Sequence, residues 1–278
     1  MNPVQTFRAF RRPAVSLVLG ASTIAFWVIV AVVGPMVAPH APGQVVDLDV
    51  FGPVSRALPL GSDYLGRDVL SRMLIAARFT VSIALLATVL AAAVGVFCGL
   101  LAAGSGWIDA VLSKLFDTLN AVPSLMFGLV VIGSLGASIP VLVGTLATVY
   151  SPGAFRTARA LARNVAALDF VTVARARGEG LPYIVSREIL PNLLGPLAAD
   201  FGLRFVFVTL LLSGLSFLGL GVQPPNADLG ALVRENIAGL GFGAAAVLVP
   251  TFALASLTIG MNMLIDALSG GRRAGGGR

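Results

Sequence analysis

Residues Phe79–Ala103 read FTVSIALLATVLAAAVGVFCGLLAA, twenty-five positions without one charged side chain. A helix crosses the hydrocarbon core of a bilayer with roughly 20 apolar residues, and it satisfies its own backbone hydrogen bonds on the way. The stretch therefore predicts a transmembrane helix. Runs of the same kind recur on either side of it. One precedes it, Ala14–Val37, and four follow, at Leu119–Leu135, Ile139–Ala154, Leu197–Leu220 and Phe242–Leu268. Six such helices make an all-α membrane protein. Composition agrees, because the 278 residues are 57% hydrophobic and only 12% charged, against about 25% charged in a soluble domain.

The first run follows Arg8, Arg11 and Arg12. It is too long for the apolar core of a secretion signal, so it reads as an uncleaved first helix. With the N-terminus placed inside and six crossings, the inner segments hold thirteen of the nineteen Lys and Arg residues. The outer segments hold five, at Arg56, Arg67, Arg72, Arg78 and Arg234, and Arg204 lies within the fifth helix. Positive charge collects on the cytoplasmic side of membrane proteins, so both termini are expected in the cytoplasm. The same rule accounts for the net charge of +6 without nucleic acid, which is not an expected partner. The expected organisation is a cytoplasmic N-terminus over 1–13, a transmembrane domain over 14–268 with a cytoplasmic hairpin over 156–196, and a disordered cytoplasmic tail over 269–278.

Most catalytic chemistry is excluded. The chain has one cysteine, Cys98, and one histidine, His40, too few for a closed thiolate and imidazole metal site. The single lysine, Lys114, follows Ser113 and belongs to no phosphate-binding loop. No nucleophile elbow or paired-carboxylate constellation appears. No cofactor is expected in the chain itself, so the energy for any work must come from a partner or an ion gradient.

The longest inner segment contains Asp169–Asn192, DFVTVARARGEGLPYIVSREILPN. Phe170, Val173 and Ala174 follow helical spacing, Gly178, Gly180 and Pro182 break the helix, and a second amphipathic stretch runs from Tyr183 until Pro191 ends it. A hairpin with an apolar face outside the membrane fits a partner surface or the lipid headgroups.

The A-x-x-x-G core of this hairpin and its I-L-P-N ending resemble the "EAA" loop of binding-protein-dependent ABC importer permeases. The matching positions are Ala174, Gly178, Leu190 and Pro191, while Thr172 and Val173 depart from the usual first two residues. The resemblance implies a type I importer permease fold, in which this loop docks on a cytoplasmic ATPase. The implied docking residues are Thr172, Val173, Ala174, Gly178, Glu179, Gly180, Leu181, Pro182, Leu190 and Pro191. Two further stretches, Leu60–Arg72 (LGSDYLGRDVLSR) and Leu215–Gly230 (LSFLGLGVQPPNADLG), are similar to the C-type permease subunit of dipeptide, oligopeptide and nickel importers. Leu229 stands there in place of the family's usual tryptophan. The resemblance implies a homologous second permease, one or two ATPase subunits that bind ATP and magnesium, an extracytoplasmic substrate-binding protein and a surround of membrane lipid. Di- or oligopeptide is the expected cargo, with nickel or a metal chelate as the alternative within the family.

In Leu60–Arg72 the residues Asp63, Arg67 and Asp68 are placed to hold one another, either as a self-satisfied turn that sets up the second helix or as a segment that frames the outer mouth or meets the sister subunit. The Pro224-Pro225 stretch is expected to project a stiff loop or to act as a structural cap. Asp200 and Arg204, four apart near the inner end of the fifth helix, share a face. Charges within a membrane helix usually face a bundle interior or aqueous cavity, so the pair points to a pathway or subunit interface, with snorkelling to the headgroups as the bland alternative. Gly95 and Gly99 fit close helix packing. A gradient-driven secondary transporter is the rival class, and a membrane scaffold a third. The first calls for midplane ionisable groups in repeated halves, of which only Asp200 and Arg204 are candidates, and neither gives the hairpin a purpose.

Overall fold

The structure is a computed structural model that describes the backbone of residues 3–242 and 244–275, and the side chains of 15–241 and 244–268. The bundle is built from α1 (Pro3–Val37), α2 (Val69–Gly104), α3 (Gly106–Ala121), α4 (Ser124–Leu135), α5 (Ile139–Ala166), α8 (Leu190–Phe217) and α10 (Ala245–Gly275). Shorter pieces lie at its two ends. At one end are α6 (Asp169–Ala176), α7 (Leu181–Tyr183) and a π-helical turn over Ile184–Ile189. At the other are the 38–68 segment, α9 (Leu229–Glu235) and a 3-10 turn over Ile237–Phe242.

Small residues set the spacing of the helices. α2 lies along α5 over the longest seam in the molecule. A Cβ on Gly95 would overlap the Cβ of Ala154, and one on Gly99 would come within 2.8 Å of Ala158 Cβ. Without a hydrophobic drive between helices in lipid, such close approach is what dispersion forces need. α1 packs on α10 in the same way, with Gly20 against the backbone of Leu264 and Trp27 Nε1 donating to Ser256 Oγ at 2.9 Å. α8 fills the centre, where Val208, Leu212 and Leu215 are buried against Ala84, Leu142, Leu146 and Leu257.

Among the described residues, four helical stretches are long and apolar enough to cross a membrane: Val15–Val37, Val69–Gly104, Leu181–Phe217 and Ala245–Leu268. α3 and α4 together make a fifth, bent by 84°. The single helix predicted over Leu119–Leu135 is therefore corrected. Pro123 lacks an N–H and disfavours helix at the residue before it, and Val122 is extended at φ −84°, ψ 127°. The twelve residues of α4 extend only about 18 Å. The predicted fourth helix does not stop at Ala154 but continues to Ala166. Arg156, Arg159 and Arg163 thus stand on α5 rather than in a loop, and Lys114 stands on α3. The predicted fifth and sixth helices begin and end at Leu190–Phe217 and Ala245–Gly275 instead. The tail expected to be disordered over 269–278 is helical as far as Gly275, and residues 276–278 lie outside the described residues.

The segment before α2 closes on a buried charge cluster. Asp63 Oδ2 accepts from Arg67 Nε and from Arg72 Nη1, each at 2.7 Å. Glu235 Oε2 accepts from the same two arginines at 3.1 and 2.9 Å. Burial works against the Arg67 charge, but attraction to Asp63, their hydrogen bond and Glu235 outweigh it, and the guanidinium sits above its ordinary range. The pairing of Asp63 with Arg67 is as the sequence suggests. Asp68 goes elsewhere: it caps α2 by accepting from the Leu70 and Ser71 amides and meets His40 Nδ1 at 3.1 Å. Glu235 was missed by sequence reading. The signal was two neighbouring arginines with one acid between them, which leaves a buried positive charge without a counterion.

Candidate functional site: the interhelical hairpin and a buried ion pair

The hairpin begins where α5 ends. α6 ends in a Schellman arrangement, with Gly178 N–H donating to Arg175 O at 2.9 Å and Glu179 N–H to Ala174 O at 3.2 Å. This requires a left-handed residue after the helix, and Gly178 has φ +84°. Gly180 then opens α7, with Pro182 in its first turn, where a proline costs no hydrogen bond. The sequence expectation that Pro191 ends the second arm is corrected. The π-helical turn Ile184–Ile189 leads straight into α8, and Pro191 falls within the first turn of that helix. Asn192 Nδ2 donates to Glu188 O at 2.7 Å, occupying a carbonyl at this junction.

One face of the hairpin is anchored. Val171, Ala174, Ile184 and Ile189 are buried with Leu100 of α2, Ala162 of α5 and Leu193 of α8. The inward face of α6 is therefore Val171 and Ala174. Phe170 and Val173, expected on the same face as Ala174, are exposed, as are Leu181 and Tyr183. Of the ten residues singled out from the resemblance, Ala174 is buried, and Leu190 and Glu179 are half-buried. The other seven, Thr172, Val173, Gly178, Gly180, Leu181, Pro182 and Pro191, are exposed. The hairpin thus combines a packed inner face with an apolar and arginine-bearing outer one.

Asp200 and Arg204 lie on α8, and the structure moves them away from the helix end where the sequence placed them. Arg204 is fourteen residues from Leu190 and thirteen from Phe217. Its Nε donates to Asp200 Oδ2 at 2.6 Å and its Nη2 to Asp200 Oδ1 at 2.9 Å. Nη1 donates to the Tyr150 carbonyl of α5 at 3.0 Å. Thr157 Oγ1 donates to Asp200 Oδ1 at 3.1 Å and accepts from Arg204 Nη2 at 3.4 Å. Arg204 is 8% exposed, and its guanidinium is turned toward Tyr150 of α5. Gly153 makes room for it, since a Cβ there would come within 2.5 Å of Nη1. Arg204 and Gly153 line a cavity of about 300 Å³ with Tyr150, Thr148, Phe127 and Pro123.

At the opposite end, the Pro224-Pro225 stretch folds back as a cap. Asp228 opens α9 by accepting from Ala231 N–H at 3.0 Å, and also accepts from Val222 N–H at 2.9 Å and Ser216 Oγ at 2.8 Å. Burial pushes its carboxyl above the ordinary range, against the pull of these donors.

The family described as binding-protein-dependent transport system inner membrane component matches residues 95–273, which include the hairpin, the ion pair and the cavity. The chain belongs to that family. This permease is accordingly a transport subunit rather than an enzyme, and a multi-pass protein of the bacterial inner membrane. It is 29% identical to the dipeptide transport system permease protein DppC of Haemophilus influenzae, over 96% of this chain and 93% of that one. It is 32% identical to the di/tripeptide transport system permease protein DppC of Pseudomonas aeruginosa, over 74% and 70%. It is 28% identical to the glutathione transport system permease protein GsiD of Pectobacterium atrosepticum, over 94% and 87%. Among solved structures, an amino acid ABC transporter crystallised with histidines superposes with a TM-score of 0.51 at 18% identity, over 74% of the permease and 93% of that chain. That likeness bears on the fold alone.

Proposed function

We propose that this permease forms half of the membrane pathway of an ATP-driven importer of di- and oligopeptides. In this reading it has six spans and both termini in the cytoplasm. It pairs with a homologous second permease, receives cargo from an extracytoplasmic binding protein, and is driven by one or two cytoplasmic ATPases that bind ATP and magnesium. The observation that carries the reading is the match, over 96% of the chain, to a relative named as a dipeptide permease.

The hairpin supplies the mechanical link. Its docking residues are Thr172, Val173, Ala174, Gly178, Glu179, Gly180, Leu181, Pro182, Leu190 and Pro191. Ala174 and Leu190 act from the inner side by fixing the frame, and exposed Phe170, Val173 and Tyr183 offer apolar surface to an ATPase groove. The first arm continues from α5 and the second runs without a break into α8. The two helices that carry Tyr150 and Arg204 are thus the two levers that an ATPase would move. Displacing the hairpin shifts both walls of the cavity together, because interlocked cores move as units rather than deform.

The test is to tag the chain, extract it in mild detergent and identify what co-purifies, comparing wild type with Gly178→Trp. A Cβ at Gly178 meets nothing within 4 Å, so the indole has room in the isolated chain; any side chain at this left-handed position strains the turn, and Gly178→Ala, which carries that strain without the bulk, is the control that must keep the ATPase. The expected result is a second permease with both proteins and an ATPase with wild type alone. A wild-type chain that purifies alone as a stable species contradicts the proposal.

A further inference from the structure

The ion pair on α8 is nearly saturated, and the remainder is informative. An arginine has five N–H donors. Here Nε and both protons of Nη2 are engaged by Asp200 and Thr157, and one proton of Nη1 by Tyr150 O. The second Nη1 proton has no partner among the described residues. Nη1 is also the atom that approaches Gly153, and both residues line the 300 Å³ cavity. Asp200 is not part of that lining, and Arg204 is its only charged member. A group entering the cavity thus meets the donor edge of a guanidinium whose counterion stands behind it.

A second observation lies on the same face of α5. A further cavity of about 190 Å³ shares Phe127 and Thr148 with the first and extends the groove to Thr145. The Thr145 hydroxyl is buried and has no hydrogen-bond partner among the described residues. A buried hydroxyl left unpaired is costly, because its lost hydration is not replaced. Thr145 and Gly153 are eight residues apart on one helix, roughly 12 Å along its axis. An extended peptide of three residues covers about 10 Å.

We propose that this groove is a cargo station within the membrane, and that it takes a short peptide by its terminal carboxylate on Arg204 Nη1 while the Thr145 hydroxyl meets a backbone carbonyl further along. The inference rests on the importer reading and narrows it to cargo with a free carboxylate. A carboxylate suits the site because charge-assisted hydrogen bonds are the strong ones. The adjacent Asp200 keeps the arginine from binding so tightly that release would fail.

The experiment uses the whole importer reconstituted in proteoliposomes, with loaded binding protein titrated from below to above saturation. The probes are a radiolabelled alanyl dipeptide and its C-terminal amide. Three variants are compared with wild type: Arg204→Lys, the paired Asp200→Asn with Arg204→Gln, and Thr145→Val. Wild type is expected to import the free acid roughly tenfold faster than the amide. Both changes at Arg204 bring that ratio near one. Thr145→Val removes an unpaired hydroxyl and so retains the fold. It slows both probes about fivefold below saturation and leaves their ratio intact. Equal import of acid and amide by wild type overturns the proposal. So does a ratio that survives either Arg204 change in an assembled complex, or wild-type rates in Thr145→Val. A wild-type complex that assembles but imports neither probe withdraws the importer reading itself, and the station with it.

Discussion

Glu235 is the residue whose removal the structure prices most clearly. Its carboxylate accepts from Arg67 and Arg72, and the side chains of Glu235 and Arg72 are 6% and 2% exposed. Glu235→Ala leaves two guanidiniums sharing Asp63, with Arg72 Nε and Nη2 already lacking partners among the described residues. Breaking a buried pair by deleting one member costs about 3–5 kcal/mol, because the other charge stays buried. At roughly 2–3 °C per kcal/mol for a chain of this size, the melting temperature should fall by about 6–15 °C. The assay is thermal challenge in detergent followed by fluorescence-detected size exclusion. Combining Glu235→Ala with Arg72→Met removes both charges and should recover most of the loss, which a double-mutant cycle with the two single variants measures as coupling. A shift below about 2 °C for Glu235→Ala would show that the cluster is hydrated and the argument from burial wrong.

Gly178→Ala adds a Cβ in open space, so it should cost only the left-handed backbone, about 1–2 kcal/mol, visible as faster proteolysis at the hairpin with an unchanged melting temperature for the bundle. Gly95→Leu should drive α2 from α5 through Ala154 and reduce the yield of folded protein sharply, by overpacking worth about 1–3 kcal/mol or more; partial rescue by Ala154→Gly would locate the clash. Asp228 titrates above its ordinary value of 3.8 in the fold because of burial. Its contribution is therefore complete below 3.8 and lost as pH rises through the raised folded value. The melting temperature of wild type relative to Asp228→Asn should rise as pH is lowered from neutrality toward the ordinary value of 3.8, and a difference that falls instead would refute the sign.

The apolar runs made the all-helical membrane class legible, because bilayer thickness imposes a length that composition alone can show. The glycines at 95 and 99 likewise announced a close seam, and the structure supplies its partners in Ala154 and Ala158. Boundaries were less legible where a local rule competed with hydropathy. Val122-Pro123 sits inside an apolar run, and the proline's missing donor turned one predicted helix into two. Pro191 failed in the opposite direction, since it falls in the first turn of α8, where its missing N–H is tolerated, and the π-helical turn runs straight into that helix. Helix α5 outran its hydropathy because Asp109 of α3 pairs with Arg159 and Arg163, which keeps those charges in a helix. On the hairpin, helical spacing identified an amphipathic segment but not its inner side. Phe170 and Val171 are adjacent and both apolar, and only packing against Leu100 and Ala162 decides which is buried. Asp200 and Arg204 were visible as a pair, whereas the carbonyl of Tyr150 that holds Arg204 inward lies 54 residues away.

The most direct test is uptake by the reconstituted importer. A radiolabelled dipeptide should accumulate in proteoliposomes only when ATP reaches the ATPases and loaded binding protein is present on the opposite face, and Gly178→Trp should abolish accumulation. Uptake that follows a proton or sodium gradient without ATP would contradict the account and place this chain among ion-coupled transporters.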